Sequence, residues 1–155
     1  MIQSPLALHL LLGTGIYAVW SDVMYRRLSN VLAIVVAGLG LSYAAIDVGI
    51  GSAVSGMLHG LAALLVGLAL YARGVVGGGD IKYYAAVATW FPLGQGVRLL
   101  GLVSLAGLVL LVGWLIWRRF TGKAINFKAS EDGDKLPFGV AIAVGAVLAA
   151  FGSGS

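Results

Sequence analysis

The stretch VRLLGLVSLAGLVLLVGWLIW, residues 97–117, decides the class of this protein. After Arg98, no charged side chain occurs before Arg118. A helix rises about 1.5 Å per residue, so about 20 apolar residues match a bilayer hydrocarbon core about 30 Å thick. The stretch therefore predicts a transmembrane helix. Five other apolar stretches resemble it, at residues 6–20, 31–46, 53–72, 83–91 and 137–151.

The composition extends this prediction to the whole chain. The 155 residues are 60% hydrophobic and 10% charged, with 24 Gly and a mean hydropathy of +1.00. A soluble domain has about 25% charged residues, so this chain has too few to cover a water-facing surface. In lipid, continuous apolar runs without alternation favour helices over a barrel. We predict an all-α integral membrane protein in which residues 1–155 form one polytopic domain of six transmembrane helices.

Several kinds of site are disfavoured by what the chain lacks. It contains no Cys, which excludes disulfides, thiolate metal sites, iron–sulfur clusters and cysteine nucleophiles. It has no His-Glu-x-x-His motif, and no third ligand lies beside His9 or His59, so we predict no metal and no cofactor. The net charge of +4 does not indicate nucleic acid, because the Lys and Arg residues flank apolar stretches as topology markers do.

The basic residues also predict the orientation in the membrane. Nine of the ten Lys and Arg lie in the first, third and fifth joints between apolar stretches, and only Arg98 lies elsewhere. Cytoplasmic loops carry the excess of Lys and Arg, so we expect these joints inside the cell and both termini outside. The longest joint would form a cytoplasmic loop. The three joints are residues 21–30, 73–82 and 118–136, and those on the opposite face are 47–52 and 92–96.

Two acids lie on the predicted cytoplasmic face. Asp22 ends the first apolar stretch and Asp80 precedes the fourth, whereas Asp47 lies on the opposite face. The 13 residues 80–92 form about 20 Å of helix, which is too short to cross the bilayer unaided. We therefore expect Asp80 in a water-lined recess. Three preceding Gly residues, 77–79, would let a substrate backbone approach closely and would permit positive φ.

Three motifs resemble those of a known family. GGGDIK at residues 77–82 matches the Gly-x-Gly-Asp signature of membrane aspartic peptidases, and DVMYRRLSN at residues 22–30 resembles the first-aspartate motif of type IV prepilin peptidases. LPFGVAIA at residues 136–143 resembles the segment that opens the last helix of that family. The chain looks closest to the short members that serve tight-adherence (Flp-type) pili. One departure is Ser29, which stands where the family usually has Pro.

The resemblance implies a site and a reaction. Asp22 and Asp80 would be the catalytic pair of a prepilin leader peptidase in a bacterial or archaeal cytoplasmic membrane, with the active site facing the cytoplasm. The substrate would be a prepilin, cut after a Gly just before its hydrophobic stem. Because this chain lacks Cys and the large cytoplasmic insertion of longer members, no N-methyltransferase activity is expected. The supporting residues implied by the motifs are Gly77, Gly78, Gly79, Lys82, Asn30, Pro137 and Gly139.

The chemistry of a carboxyl pair agrees with this interpretation. Two close carboxyl groups do not both ionise easily, so one stays protonated and polarises the scissile carbonyl. The other, as a carboxylate, takes a proton from the attacking water. The sequence leaves open which of Asp22 and Asp80 has which role. Lys82 is open to two interpretations, as support for the active-site loop or as a headgroup anchor.

Other functions remain as alternatives. The main one is a small proton- or ion-coupled carrier with Asp22 and Asp80 as relay groups, and another is a noncatalytic assembly scaffold. Ser55 and His59 lie four residues apart on one helical face, so a serine peptidase is another alternative. It ranks low because no Gly-x-Ser-Gly motif occurs in the sequence. Gly56 and Gly60 have the spacing of helix packing. The acidic run Glu131, Asp132 and Asp134 is a solvated loop or a steering patch for a basic leader.

Overall fold

The computed structural model describes residues 4–25, 27–121 and 138–152. Within these ranges the chain is helical and has no strand, which confirms the all-α prediction. Each predicted apolar stretch corresponds to one α-helix. The helices are α1 (Pro5–Tyr25), α2 (Asn30–Tyr43), α3 (Ile50–Tyr71), α4 (Gly78–Ala88), α5 (Gly96–Thr121) and α6 (Phe138–Phe151), with a π-helical turn at Ala44–Val48 and a 3-10 turn at Leu93–Gln95.

The lengths of the helices show a multi-pass membrane protein. Four helical segments in the described chain are long and apolar enough to cross a bilayer: Pro5–Tyr25, Asn30–Val48, Ile50–Tyr71 and Leu93–Phe120. Helix α6 is apolar but has only 14 residues, and α4 has 11. Eleven residues give about 16 Å of helix, so α4 is even shorter than the sequence suggested. The number of spans that cross the membrane stays a prediction.

The first predicted joint, residues 21–30, is wrong at its start. Helix α1 continues to Tyr25, so Asp22 lies in its last two turns and not in a loop. The side chains of two serines shape the short connection that remains. Ser21 Oγ donates to the carbonyl of Arg27 at 2.8 Å, and Ser29 caps α2 by accepting the N–H of Leu32 at 3.1 Å. Ser29 therefore makes a cap that Pro at this position could not make.

The second and third predicted joints are also shorter in the structure. The π-helical turn Ala44–Val48 carries α2 almost directly into α3, and Gly49 makes the break with a φ of 119° that favours glycine. Asp80 and Lys82, predicted in the third joint, lie in the first turns of α4. Helical hydrogen bonding extends beyond the apolar residues because backbone groups near the membrane boundary still need partners.

Helix α4 forms the centre of the bundle. Six of its eleven residues are buried, and it packs against α2, α3 and α6. Gly56 and Gly60 permit the close contact with α3. A Cβ at Gly56 would lie 2.3 Å from the Thr89 carbonyl oxygen, and one at Gly60 would lie 2.9 Å from that of Ala85. These two glycines therefore serve helix packing, as predicted.

Hydrogen bonds hold the end of α4 that lies far from Asp80. Trp90 Nε1 donates to the carbonyl of Val36 at 2.9 Å, which joins the chain after α4 to α2. The imidazole of His59 lies 2.9 Å from the carbonyl oxygen of Phe91, and Ser55 Oγ accepts the N–H of Leu93 at 3.0 Å. With this end held by α2 and α3, the N-terminal end of α4 has a defined position in the bundle.

Candidate active site

Asp22 is buried near the end of α1, with 7% of its surface exposed. Its Oδ2 accepts the backbone N–H of Gly139 at 2.8 Å. Gly139 is the second residue of α6, so its N–H has no carbonyl partner within that helix. The positive end of the helix dipole and this N–H both favour the ionised form of the carboxyl group.

Gly139 leaves no space for a larger residue beside Asp22. A Cβ at this position would lie 2.8 Å from Asp22 Oδ2 and 3.1 Å from Leu28 Cδ1. Contacts this short require one of the neighbours to move. The glycine therefore lets α6 approach α1 closely enough for the hydrogen bond to form, which is a packing reason for this predicted supporting residue.

Asp80 lies in the first turn of α4, across the site from Asp22, and is only partly buried. It is the third residue of α4, after Gly78 and Gly79, and Gly77 is the N-cap. Its carboxyl group lies against this cap, because a Cβ at Gly77 would be 2.8 Å from Asp80 Oδ2. Gly77 provides no side-chain cap, so the first turn of α4 presents backbone N–H groups beside the Asp80 carboxyl group.

The glycines before Asp80 do not use the positive φ that the sequence permitted. Gly77 has a φ of −71°, and the positive-φ glycines of the described chain are Gly49 and Gly74. The stretch instead allows close packing. Gly78 faces the ring of Tyr71, and a Cβ at Gly79 would lie 3.6 Å from Leu28 Cβ. Tyr71 and Leu28, from two other segments, thus pack where larger residues at Gly78 and Gly79 would have their side chains.

Leu28 is a site residue that sequence reasoning did not single out. It lies between the Asp22 and Asn30 ends of the first motif, and it contacts the positions of both Gly79 and Gly139. One side chain therefore joins the three motifs. The available signal was an apolar residue inside a short, otherwise polar connection, where exposure to water would carry a cost.

Electrostatics couples the two acids. Burial raises the pKa of Asp80 to about 6, and the negative charge of Asp22 is the second cause. The N-terminal position in α4 would lower the pKa, so burial and the neighbouring charge outweigh the helix dipole. The structure therefore brings Asp22 and Asp80 within electrostatic range of each other.

Lys82 and Asn30 form a polar pair at the rim of this site. Lys82 Nζ donates to Asn30 Oδ1 at 2.9 Å, and both residues are exposed. Lys82 lies one turn inside α4, and Asn30 is the first residue of α2. The bond joins the helix that carries Asp80 to the connection that follows Asp22. The supporting role of both residues stays a prediction.

Some predicted residues lie apart from the site or outside the described chain. Asp47 is exposed and lies 3.5 Å from Ser4 Oγ, at the end of α2 far from Asn30. Pro137 and the acidic run Glu131, Asp132 and Asp134 fall outside the described residues. The described part of the chain contains no group of three or more His, Cys, Asp or Glu that could hold a metal ion.

The serine peptidase alternative does not fit the observed contacts. Ser55 Oγ accepts a backbone N–H from Leu93, and the Nδ1 of His59 faces the carbonyl of Phe91. A nucleophile needs its hydroxyl within reach of the base. Here both side chains instead hold the turn that follows α4, which is a structural role. His59 is 4% exposed, so it is a buried packing residue.

Comparison with known proteins gives one match. A family model described as the type IV leader peptidase family matches residues 9–112, about two thirds of the chain. The matched region includes Asp22, Asn30, Gly77–Gly79 and Asp80, and it ends before α6. No curated protein and no solved structure matched the sequence.

Proposed function

Because the chain belongs to the type IV leader peptidase family, we propose that it is an aspartic endopeptidase that removes the leader of Flp-type prepilins. The observation that carries this proposal is that Asp22, near the end of α1, and Asp80, in the first turn of α4, lie within electrostatic range of each other, with the N-terminus of α6 bonded to Asp22. The family gives the class of reaction, and the two acids supply the chemistry. In this proposal the whole chain is one polytopic domain.

The two carboxyl groups have different roles in the proposed reaction. Asp22 is the carboxylate, because the N–H of Gly139 stabilises its negative charge. It takes a proton from the water whose oxygen attacks the scissile carbonyl carbon. Asp80 carries the other proton and donates it to the carbonyl oxygen, so the tetrahedral intermediate is uncharged.

The second half of the reaction restores both groups. As the C–N bond breaks, Asp22 gives its proton to the leaving amine, which becomes the new N-terminus of the pilin. The proton on the intermediate hydroxyl returns to Asp80, and the leader leaves with a carboxyl terminus. No proton is lost from the pair over one turnover, so the enzyme needs no cofactor for this chemistry.

The remaining motif residues position these acids in the proposal. Gly77, Gly78 and Gly79 let the α4 terminus pack against Tyr71 and Leu28, and Gly139 lets α6 reach Asp22. The pair formed by Lys82 and Asn30 holds α4 against the start of α2. By resemblance to the family, Pro137 would belong, like Gly139, to the motif that opens the last helix.

The proposed location is a bacterial or archaeal cytoplasmic membrane, with the acids on the cytoplasmic face and both termini outside. The partners are prepilins and membrane lipid, and nucleic acid is not among them. The proposal includes no N-methyltransferase activity, because the chain has no Cys and no large insertion. A proton- or ion-coupled carrier remains the alternative use of an acid pair, but no contact in the described chain favours it.

Cleavage by the purified protein tests this function. The protein in detergent is incubated with an Flp-type prepilin, and mass spectrometry measures the product. We expect one cut, directly before the apolar stem, that survives chelators, thiol reagents and serine-directed inhibitors. An intact prepilin together with proton flux in proteoliposomes would support the carrier. Activity lost on chelation and restored by zinc would contradict the aspartic mechanism.

Single Cys residues test the proposed orientation, because the chain has no native Cys. Val75 lies in the turn before α4 and is 67% exposed, and Asp47 is exposed at the other end of α3. In intact cells we expect Asp47→Cys to react with an impermeant thiol reagent and Val75→Cys to be protected. After lysis both should react. The reverse pattern in intact cells would place the acids outside and overturn the cytoplasmic reaction.

A further inference from the structure

A groove leads from the candidate active site along the side of the bundle. It has a volume of about 390 Å³ and lies between α3 and α5, with Asp80 near one end and His59 near the other. Its floor is formed by α4 and α6, where Tyr84 and Ile142 line it. Apart from Asp80, His59 and Ser104, the lining is almost wholly apolar.

The groove opens sideways because its two walls do not pack together. In the described chain α3 and α5 have no extensive contact along their lengths, although both touch the 3-10 turn Leu93–Gln95. That turn closes the end near His59, where a Cβ at Gly96 would lie 3.0 Å from the imidazole Nε2. Away from the turn, Val66 and Leu100 stand at the rims with 62% and 55% of their surfaces exposed. A lipid-facing entrance therefore leads to Asp80.

The dimensions of the groove fit one face of a helix. From His59 to Leu70 the α3 wall is twelve residues long, which corresponds to about 17 Å, or about three helical turns. A helix docked in an apolar groove presents side chains at positions i, i+3 or i+4, and i+7, and three turns hold these anchors. Small residues on the walls, including Ala62 and Gly96, permit close approach of a second helix.

A second groove on the molecule lacks the chemistry for this role. It has a volume of about 530 Å³, lies against α2, α3 and α4, and is lined by Ile34 and Thr89 among others. The polar residues at its cytoplasmic end are Asn30 and Lys82, which bond to each other. No acidic residue lines this second groove. A peptide bond next to a helix seated there would not meet a carboxyl group of the lining.

We propose that the groove between α3 and α5 receives the apolar stem of the prepilin as a helix, seated so that the peptide bond before the stem reaches Asp80. This inference rests on the proposed function. The stem enters from the bilayer through the gap between α3 and α5, and its first three turns lie on α4 and α6. The groove thereby sets the distance between the start of the stem and the cut, which makes it the part of the enzyme that recognises the stem.

Disulfide cross-linking tests the position of the stem. Ser104→Cys lies in the proposed groove, and Ile34→Cys, 71% exposed in the second groove, is the matched control. Each is combined with a prepilin that carries one Cys in the first three turns of its stem, in membranes under mild oxidation. We expect a cross-link to Ser104→Cys and none to Ile34→Cys. A cross-link to Ile34→Cys alone, or to neither position, would overturn the proposal. The groove would then be a surface that lipid covers.

Cleavage kinetics separate this inference from the proposed function. Val66→Trp should fill the groove from its exposed rim, whereas Ile34→Trp should not affect it. For the full prepilin we expect kcat/KM to fall about tenfold in Val66→Trp, and a short peptide without the stem to be cut at the wild-type rate. Equal cleavage of the full prepilin by both variants would overturn the proposed role of the groove but not the proposed function. A wild-type protein that cuts neither substrate would overturn the proposed function instead.

Discussion

Each acid of the site lies beside the N-terminus of a helix, Asp22 beside that of α6 and Asp80 in the first turn of α4, yet their surroundings differ. Asp22 comes from α1 and accepts an N–H from α6, so its partner belongs to another part of the chain. Asp80 lies within the first turn of α4 itself, partly exposed and against the glycine that precedes the helix. Asp22 is buried, with 7% of its surface exposed, whereas Asp80 is partly exposed beside the start of its own helix.

This difference supports the opposite roles that we propose for the two side chains. A carboxyl group that accepts a fixed N–H is stabilised as the anion, and one that is buried beside that anion is favoured as the acid. The pKa of Asp80 is raised to about 6 by burial and by the charge of Asp22. The asymmetry arises from the bundle and not from the residue type.

The largest expected effect follows from removing either acid. Asp22→Asn and Asp80→Asn should each lower kcat for prepilin cleavage by about 10²- to 10⁴-fold, because Asn cannot share or transfer the proton. Asn at position 22 can still accept the N–H of Gly139, so the protein should accumulate normally. Cleavage of a prepilin in detergent, measured beside protein yield, checks this expectation.

The double variant and a control sharpen the same experiment. If the acids act as one unit, Asp22→Asn with Asp80→Asn should be hardly worse than either single variant. Asp47→Asn should cleave at the wild-type rate, since Asp47 is exposed and its side chain contacts only Ser4 among the described hydrogen bonds. Near-normal cleavage by Asp22→Asn would contradict the two-acid assignment.

Glycine substitutions test which acid depends on tertiary contact. Gly139→Ala places a Cβ 2.8 Å from the buried Asp22 Oδ2, and Gly77→Ala places one equally near Asp80 Oδ2. We expect kcat/KM to fall about tenfold to a hundredfold for Gly139→Ala, because the enclosed carboxyl group must shift. Gly77→Ala should have the smaller effect, since the partly exposed Asp80 can rotate away. Kinetics of both variants give the comparison.

Gly101→Ala is the control for these substitutions, because nothing lies within 4 Å of the Cβ that it would add. Its activity should equal that of the wild type, and Ala within a helix should not reduce stability. A larger loss for Gly77→Ala than for Gly139→Ala would reverse the comparison, and would mean that Asp80 is the more rigidly held acid.

The pH profile tests where the shared proton lies. Because the pKa of Asp80 is raised to about 6, this group is protonated below that pH and loses its proton above it. If Asp80 is the acid, kcat/KM should fall about tenfold per pH unit on the alkaline side, since kcat/KM reports the free enzyme. Cleavage rates for a stem-free peptide between pH 5 and pH 8 measure this alkaline decrease in kcat/KM.

A folding control accompanies the pH measurement. Thermal unfolding at each pH shows whether the protein remains intact over the range, so that a lower rate reflects titration of the site. A rate that rises through pH 6 and stays high at pH 8 would assign the carboxylate role to Asp80, and would break the proposed difference between the two acids.

The smallest effect is expected at the rim of the site. Lys82→Met keeps the aliphatic stem but removes the donor to Asn30, an exposed bond of 2.9 Å. Exposed polar pairs contribute about 0.5–1 kcal/mol, so kcat/KM should fall about two- to fivefold. Adding Asn30→Ala should cost little more, because both changes break the same bond. Arg73→Met, which removes another exposed cation, should leave the rate unchanged, and a fall as large as that for Lys82→Met would point to general charge loss.

The sequence could predict the residues of the site better than their contacts. Asp22, Asp80 and the glycines were found from motif spacing and from the shared face of the membrane. The three glycines permit positive φ, yet Gly77 has a φ of −71°, because local permissiveness does not say which conformation packing selects. Leu28 was missed for the same reason, since only the packed bundle places it between Gly79 and Gly139.

The sequence by itself determined the class of the protein, because 60% hydrophobic residues in long uninterrupted runs require lipid and helices. It also determined that Asp22 follows one apolar stretch and that Asp80 precedes another. Only the tertiary structure decided that Asp22 bonds to a backbone group 117 residues away while Asp80 remains beside its own helix start. Periodicity and charge act locally along a chain, whereas a contact between α1 and α6 depends on how all the helices pack together.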